Sequence, residues 1–417
     1  MVGVVMLWLT ITNGSAASEE VVVKQLTVGP KSHFFGYIGH CLTIPWNQSG
    51  RYIVSLRTDF HDRMPRVDDF AEIVLIDTQR GHEVTILDRT RAWNLQQGSM
   101  LFWHPQHAET QFFFNDVDPK SGTVFTVLYD IEQRKRVREF RFAGPAVANG
   151  GVAPNGKYFA AINYGKISRI RSVISYPGTL DDTLKGPANP ETDGLFRVDT
   201  TTGERQLLVP YKRLEQMLLT TERNRMLPGD PEKYPLYVHH TMWNRDSEWI
   251  AFIVRGPIDK RPSVGCAVRV DGSDLRVIPF AGHPEWLEGA LFAMSSKEDG
   301  AFNLYDVAAK KWAGQIGGPD VFLDTNDDNA LSPDGKLYVG SHKSKSKPTE
   351  CVYTIYRRSN GTFVRSPAIT TKAGGGDVRL DPAPRWNRSS DALLVPGLAS
   401  DGTVQLFLLT LAPEAFR

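Results

Sequence analysis

The sequence predicts an all-β fold, a seven-bladed β-propeller of four-stranded antiparallel blades closed by the N-terminal strand. Three observations predict it. A turn followed by an apolar strand recurs seven times, each copy is followed by a second hairpin, and the two ends of the chain each lack what the other supplies.

The recurring unit joins a polar turn to an apolar run of strand length, rich in aromatic and β-branched residues. Its copies are WNQSGRYIVSL from Trp46, WHPQHAETQFFF from Trp103, APNGKYFAAI from Ala153, WNRDSEWIAFI from Trp243, WLEGALFA from Trp286, LSPDGKLYVG from Leu331 and WNRSSDALLV from Trp386. The partner units include VLIDTQRGHEVTIL, LFRVDTTTGERQLLV and AVRVDGSDLRVIPF, in which one strand ends in a polar turn and another leaves it. The last partner, LFLLTLA, ends at Leu411 one strand short, whereas Val21 to Val28 reads as a strand before the first repeat. In a circular array that N-terminal strand completes the last sheet and hides both edges.

Ahead of it, Val2 to Ile11 is apolar, too short to span a bilayer, and leads into Ser15-Ala16-Ala17. This reads as a secretory signal peptide over residues 1–17, although no Lys or Arg precedes the apolar run; a frayed terminus is the alternative. The expectation is one propeller domain over 18–417, secreted or periplasmic, with no other segment long enough to cross a membrane. The 48 basic and 47 acidic side chains give no global charge bias and no nucleic-acid footprint. Cys41, Cys266 and Cys351 match no zinc pattern and read as buried apolar residues.

The other turns recur every 43 to 57 residues, but the interval from Ala153 to Trp243 is 90. The excess falls in two insertions, 164–193 and 210–236, both rich in Pro, Gly and charge, and loops of that length in a compact repeat protein usually carry function. Both open beside the strand that holds His239 and His240. Residues just ahead of each turn begin the innermost strand of a blade and surround the central channel. Four residues before Asn244 stands His240, and four before Leu287 stands His283, so two adjacent blades offer an imidazole at one register. The next blade offers Asn326, Asp328 and Asn329, and the first offers His40 and Thr43. Adjacent residues of a strand point to opposite faces, so only one of His239 and His240 is expected to look into the channel. A single histidine at a strand start is commonly structural; the shared register across two blades sets His240 and His283 apart.

At these residues the chain resembles the oligogalacturonate lyase-like propellers, a group with TolB-like SPDG repeats that includes the ulvan lyases. The resemblance covers Gly36 to Leu411 and is carried by AWNLQQGSM at Ala92 to Met100, HHTMWN at His239 to Asn244, GHPEW at Gly282 to Trp286 and PRWNR at Pro384 to Arg388. It implies a lyase acting on an acidic polysaccharide or oligosaccharide, with His240 as base and His283 as ligand of a divalent cation, Mn or Ca. The chain departs from the family where other metal histidines are expected: it has Asn326 and Asp328 there, and Ala383 before PRW. Either these hold a hard cation with His283, or a guanidinium replaces the metal.

The chemistry behind this reading is β-elimination. Removing the weakly acidic C5 proton of a uronate requires a base, and the adjacent carboxylate must be neutralised by a metal or an arginine. Tyr176 and Arg171 from the first insertion join His240 as catalytic candidates. Arg57, Trp93, Asn94, Gln97, Tyr164, Arg169, His239, Arg255 and Arg385 are the expected substrate contacts. Two other classes stay open: a non-catalytic propeller that binds a glycan or protein, and a hydrolase using carboxylates such as Asp68, Asp69 and Asp193. A Ser-His-Asp enzyme is disfavoured, because no nucleophile-elbow motif is present.

Overall fold

In the computed structural model the described residues are 20–36, 42–219, 235–256, 263–296, 301–318, 320–325, 328–343, 346–372, 376–412 and 415. They form seven antiparallel sheets, each a blade of four strands, with one short extra strand, Ile369–Thr370, on the sixth. The innermost strands are Ser32–Phe34, Phe102–Trp103, Val147–Val152, Tyr237–Trp243, Glu285–Trp286, Asn329–Leu331 and Arg385–Trp386, in blades 1 to 7. Blade 7 is completed as expected: Val21–Gln25 pairs with Val404–Leu411 in the register Val21 to Leu411. Leu26 continues the ladder by donating to the Leu406 carbonyl at 2.8 Å.

The turn motifs act through their side chains. Asn244 Oδ1 accepts from the backbone N–H groups of Glu248 and Trp249 at 2.8 and 2.9 Å, and Asn387 Oδ1 accepts from Asp391 and Ala392. Ser332 Oγ takes the same place in the SPDG turn, accepting from Leu337 N at 2.9 Å. Such turns close the first hairpin of a blade without demanding a helix or a longer loop. Asn47 is fully buried in its own turn.

The tryptophans beside these turns link blade to blade. Trp103 Nε1 donates to the Pro45 carbonyl at 2.6 Å, Trp243 to Gly151 at 2.8 Å, Trp286 to Met242 at 2.9 Å and Trp386 to Ala330 at 3.1 Å. Each indole therefore fills the wedge between two inner strands and satisfies a buried carbonyl of the preceding blade. Arg388 does this between the first and last blades, donating to the carbonyls of Asn47 and Trp46 at 2.8 and 3.0 Å. The aromatic and aliphatic faces of neighbouring sheets pack into one large core over blades 1 to 4 and smaller ones over the rest.

The first insertion leaves the second strand of blade 3 and starts as helix α1, Tyr164–Ile170, whose N-cap Asn163 accepts from Lys166 N. A 3₁₀ turn, Ser172–Ile174, follows. The second insertion starts as helix α2, Tyr211–Leu219, and residues 220–234 lie outside the described set. Tyr211 is buried and its hydroxyl accepts from Val238 N at 3.3 Å, tying α2 to the inner strand of blade 4. Cys266 and Cys351 are buried and unpaired with each other, and Cys41 and His40 lie outside the described residues. His104 is buried and stacked on Phe113 with ring centroids 5.1 Å apart.

Replacing Trp286 by Phe keeps most of the packing but strands the Met242 carbonyl without its indole partner. The expected loss is ~1–3 kcal/mol of stability, read as a lower urea midpoint; an unchanged midpoint would show that the inter-blade bond contributes nothing.

Candidate active site

The inner strand of blade 4 does not alternate as a regular strand does. Its pairing with the second strand shifts register between His239 and Met242, and His240 takes a φ of 50°, in the left-handed region that β-carbon sterics disfavour. The bulge turns the His240 ring back toward its neighbour. The two imidazoles meet edge to face with centroids 4.4 Å apart, and their Nδ1 atoms are hydrogen-bonded. The expectation that only one of them looks into the channel is thus overturned by an extra residue in the strand: both line the same cavity.

That cavity has a volume of about 150 Å³. Blade 4 supplies His239, His240 and Arg255, and the connection to blade 5 supplies Phe280 and His283. Arg171 comes from the end of α1, Gln96 from the link between blades 1 and 2, and Arg379 from the segment ahead of blade 7. Gln97 Nε2 lies 3.2 Å from His240 Nε2. With the amide nitrogen as donor, His240 Nε2 accepts, its proton sits on Nδ1, and that proton points at His239 Nδ1. His239 is fully buried, and burial first, then His240, Arg255 and Arg171, hold its imidazole well below the usual range and uncharged. A neutral acceptor behind His240 fixes which of its ring nitrogens faces the cavity.

The AWNLQQGSM segment delivers the two glutamines as a tight turn. Asn94 Oδ1 accepts from the N–H groups of Gln96 and Gln97 at 3.0 and 2.7 Å, while its Nδ2 donates to the Ser175 carbonyl at 3.2 Å. Gly36, with φ of 94°, passes so close that a β-carbon there would sit 2.5 Å from the Gln97 backbone. Asn94 is therefore a fully buried framework residue of the turn rather than a cavity contact. Gln96 and Arg379 were missed in the sequence, since neither lies in a repeat. Arg379 is oriented by Asp381, 2.6 Å from its Nε.

His283 Nδ1 lies 3.0 Å from the Asp328 carboxylate, which is fully buried. Asn326, the third expected ligand, lies outside the described residues. An imidazole and a carboxylate suit Mn²⁺, but that ion takes about six donors, and among the described residues no group of three His, Cys, Asp or Glu could hold a metal. The pair does not by itself make a metal site.

Several expected contacts lie elsewhere. Tyr176 is fully buried and stacked on Tyr164 at 4.5 Å; its hydroxyl accepts from Asn115 Nδ2 at 3.0 Å, and Tyr164 donates to the Asn149 carbonyl. Burial raises both phenols, so neither offers a proton to the cavity. Trp93 has no exposed surface and packs on Phe60, its indole donating to the Asp69 carbonyl at 3.3 Å. Arg57 is engaged by Glu72 at 2.7 Å in blade 1, and Arg169 by Asp181 at 2.8 Å on the outer face of α1. Arg385 is buried on the inner strand of blade 7, donating to the Pro384 carbonyl at 3.0 Å. Of the carboxylates weighed for hydrolysis, Asp69 is bound to Arg63 and Asp193 is buried against Asn163, with no described pair facing the cavity.

With this geometry described, comparison with solved structures places the chain on the seven-bladed fold of oligogalacturonate lyases. The oligogalacturonate lyase from Vibrio parahaemolyticus aligns at 13% identity over 94% of each chain with a TM-score of 0.62. A second oligogalacturonate lyase, in complex with manganese, aligns at 16% identity over 96% of each chain, also at 0.62. At such identities the likeness is one of fold. No family model and no curated protein sequence matches the chain. No helix among the described residues is long and apolar enough to cross a membrane.

Glu285, on the inner strand of blade 5 just past His283, is fully buried, and burial pushes its carboxyl up to about 8 against the opposing pull of Arg245 and Arg385. A carboxyl raised from 4.5 in this way binds its proton more tightly folded than unfolded, so its contribution is lost as pH rises from 4.5 to about 8. Glu285→Gln is accordingly expected to gain stability relative to the parent over that interval, by up to a few kcal/mol (on the order of 1.4 per pKa unit). Urea midpoints at the two ends of the range check this; parallel pH curves for the two proteins would refute it.

Proposed function

We propose that this protein is an exported lyase that cleaves a uronate-containing glycan by β-elimination in the cavity of blade 4. The observation that carries the reading is the His240 and His239 pair set among Arg171, Arg255 and Arg379. Substrate displaces the Gln97 amide from His240 Nε2, which then takes the C5 proton; the electron pair forms the C4–C5 double bond, and the C4–oxygen bond breaks, the leaving oxygen being protonated by solvent. Gln97 and His239 hold the imidazole in the tautomer this needs. The guanidinium groups bind the uronate carboxylate and stabilise the charge that develops beside C5, so that the proton becomes removable. The cavity's cationic lining supports an acidic polymer or oligomer as ligand. A divalent cation is the alternative electrophile, and His283 with Asp328 are the residues that would hold it. Export is inferred from the apolar leader of residues 1–17, which supports a secreted or periplasmic setting.

The test offers purified protein a panel of uronate polysaccharides and follows the ultraviolet absorbance of the unsaturated product. His240→Ala is expected to lower the rate by at least ~100-fold, and Arg171→Ala or Arg255→Ala to weaken kcat/KM by ~10- to 100-fold. EDTA is expected to leave the rate unchanged if guanidinium does the work, and to abolish it if a cation does. A flat trace across the panel, with glycan still bound, would replace the enzyme by a binding propeller, a reading that the two-donor His283 and Asp328 pair also fits.

A further inference from the structure

The outermost strand of blade 5, Lys311–Ile316, exposes every residue but Ile316, which joins the core. Trp312 is 57% exposed, the largest aromatic surface that the described residues leave to solvent. It stands opposite Tyr305 in the ladder, and the two rings pack edge to face at 5.4 Å. Gln315 stands opposite Asn303, and its Nε2 donates to Asn303 Oδ1 at 2.8 Å. Tyr305 and Asn303 are two residues apart on one strand, so both pairs share one face of the sheet. The register slips between Leu304 and Tyr305, and Gly314 has φ of 118° with open space where a β-carbon would be. Lys310 and Lys311 precede Trp312 in sequence and are exposed, Lys311 alternating to the opposite face of the sheet.

The geometry points to a second glycan-binding site here, outside the blade 4 cavity, for a chain of acidic sugar residues. A pyranose ring has a face of C–H groups that suits an indole and a rim of hydroxyls that suits an amide pair. The spacing of the two pairs is about 7 Å along the strand, close to the width of one sugar ring. Lys310, exposed in the turn just ahead of the strand, supplies charge that complements a uronate carboxylate. An edge strand guarded only against aggregation would carry lysine and a bulge but has no use for an exposed tryptophan. The site goes beyond the cavity reading and shares with it only the class of ligand.

Affinity electrophoresis of the full chain in gels containing polygalacturonate, alginate or chondroitin sulfate tests it, with Trp312→Ala run beside His240→Ala. Trp312→Ala is expected to weaken retention about five- to tenfold on at least one gel, with an unchanged thermal midpoint to exclude misfolding, and Trp312→Phe is expected to restore part of it. Weakened retention without elimination activity in the parent would sink the lyase reading and leave this site standing. Equal mobility of parent and Trp312→Ala on every gel, whether or not elimination is seen, would overturn the site. A drop in solution mass in place of a change in retention would also overturn it, assigning the strand to a protein partner.

Discussion

The ring depends on how each inner strand is held to the one before it. A blade alone is a four-stranded sheet with two open faces and an unsatisfied inner edge, and a circle of blades is stable only if neighbours stay in register. The indoles of Trp103, Trp243, Trp286 and Trp386 do this by placing an apolar body between sheets and an N–H on a buried carbonyl. The bond from Trp286 to Met242 has a local consequence. Met242 ends the bulge that carries His239 and His240, and Trp286 lies three residues past His283. One hydrogen bond thus fixes blade 5 against blade 4 where their two histidine segments reach a common cavity.

The repeat was legible because turn chemistry and strand patterning recur in the chain itself. Asn and Ser at the turns, the apolar runs after them and the missing final strand were enough to count blades and pair Val21 with the C-terminal strand. The same repeat puts His240 and His283 at one register, and both line the blade 4 cavity. The bulge at His240 was not legible, since no glycine or proline marks it and a left-handed histidine has no sequence signature. The aromatics misled in one direction: Trp93, Tyr164 and Tyr176 sit next to a functional loop but are large enough that packing claims them, and their polar tips find backbone or amide partners inside. The arginines were ambiguous because charge alone does not say which carboxylate is near. Arg57 and Arg169 meet acids from their own blade or insertion, whereas Arg379 reaches the cavity from a segment without repeat character.

The electrostatics of the cavity follow from burial as much as from charge. His239 has lost its hydration and faces Arg171 and Arg255, so it stays neutral and can accept a proton's hydrogen bond from His240 without competing for the proton. Glu285, two residues past His283 on the inner strand of blade 5, also stays protonated over much of the neutral range because its burial outweighs two nearby guanidinium groups. Glu285 therefore does little to cancel the cationic lining, and the buried carboxylate against the site is that of Asp328, 3.0 Å from His283 Nδ1. A cleft of this kind, walled by low-dielectric sheet and lined by one sign of charge, concentrates its field on a ligand of the opposite sign.

The strained backbone at His240 fits this arrangement. A regular strand would have put His239 and His240 on opposite faces, leaving the cavity one imidazole without a partner to set its tautomer. Adding a residue to the strand costs pairing and a left-handed φ, of the order of 1–3 kcal/mol. The neighbouring ladder, the indole of Trp286 and the Tyr211 hydroxyl on Val238 hold the strand on both sides of the bulge. What the bulge gains is a pair of coupled rings presented to one space, with Gln97 on one edge and three guanidinium groups around it. A conformational cost confined to one residue, on an inner strand otherwise fully paired, is sustained more readily where it arranges reacting groups than where it serves packing alone.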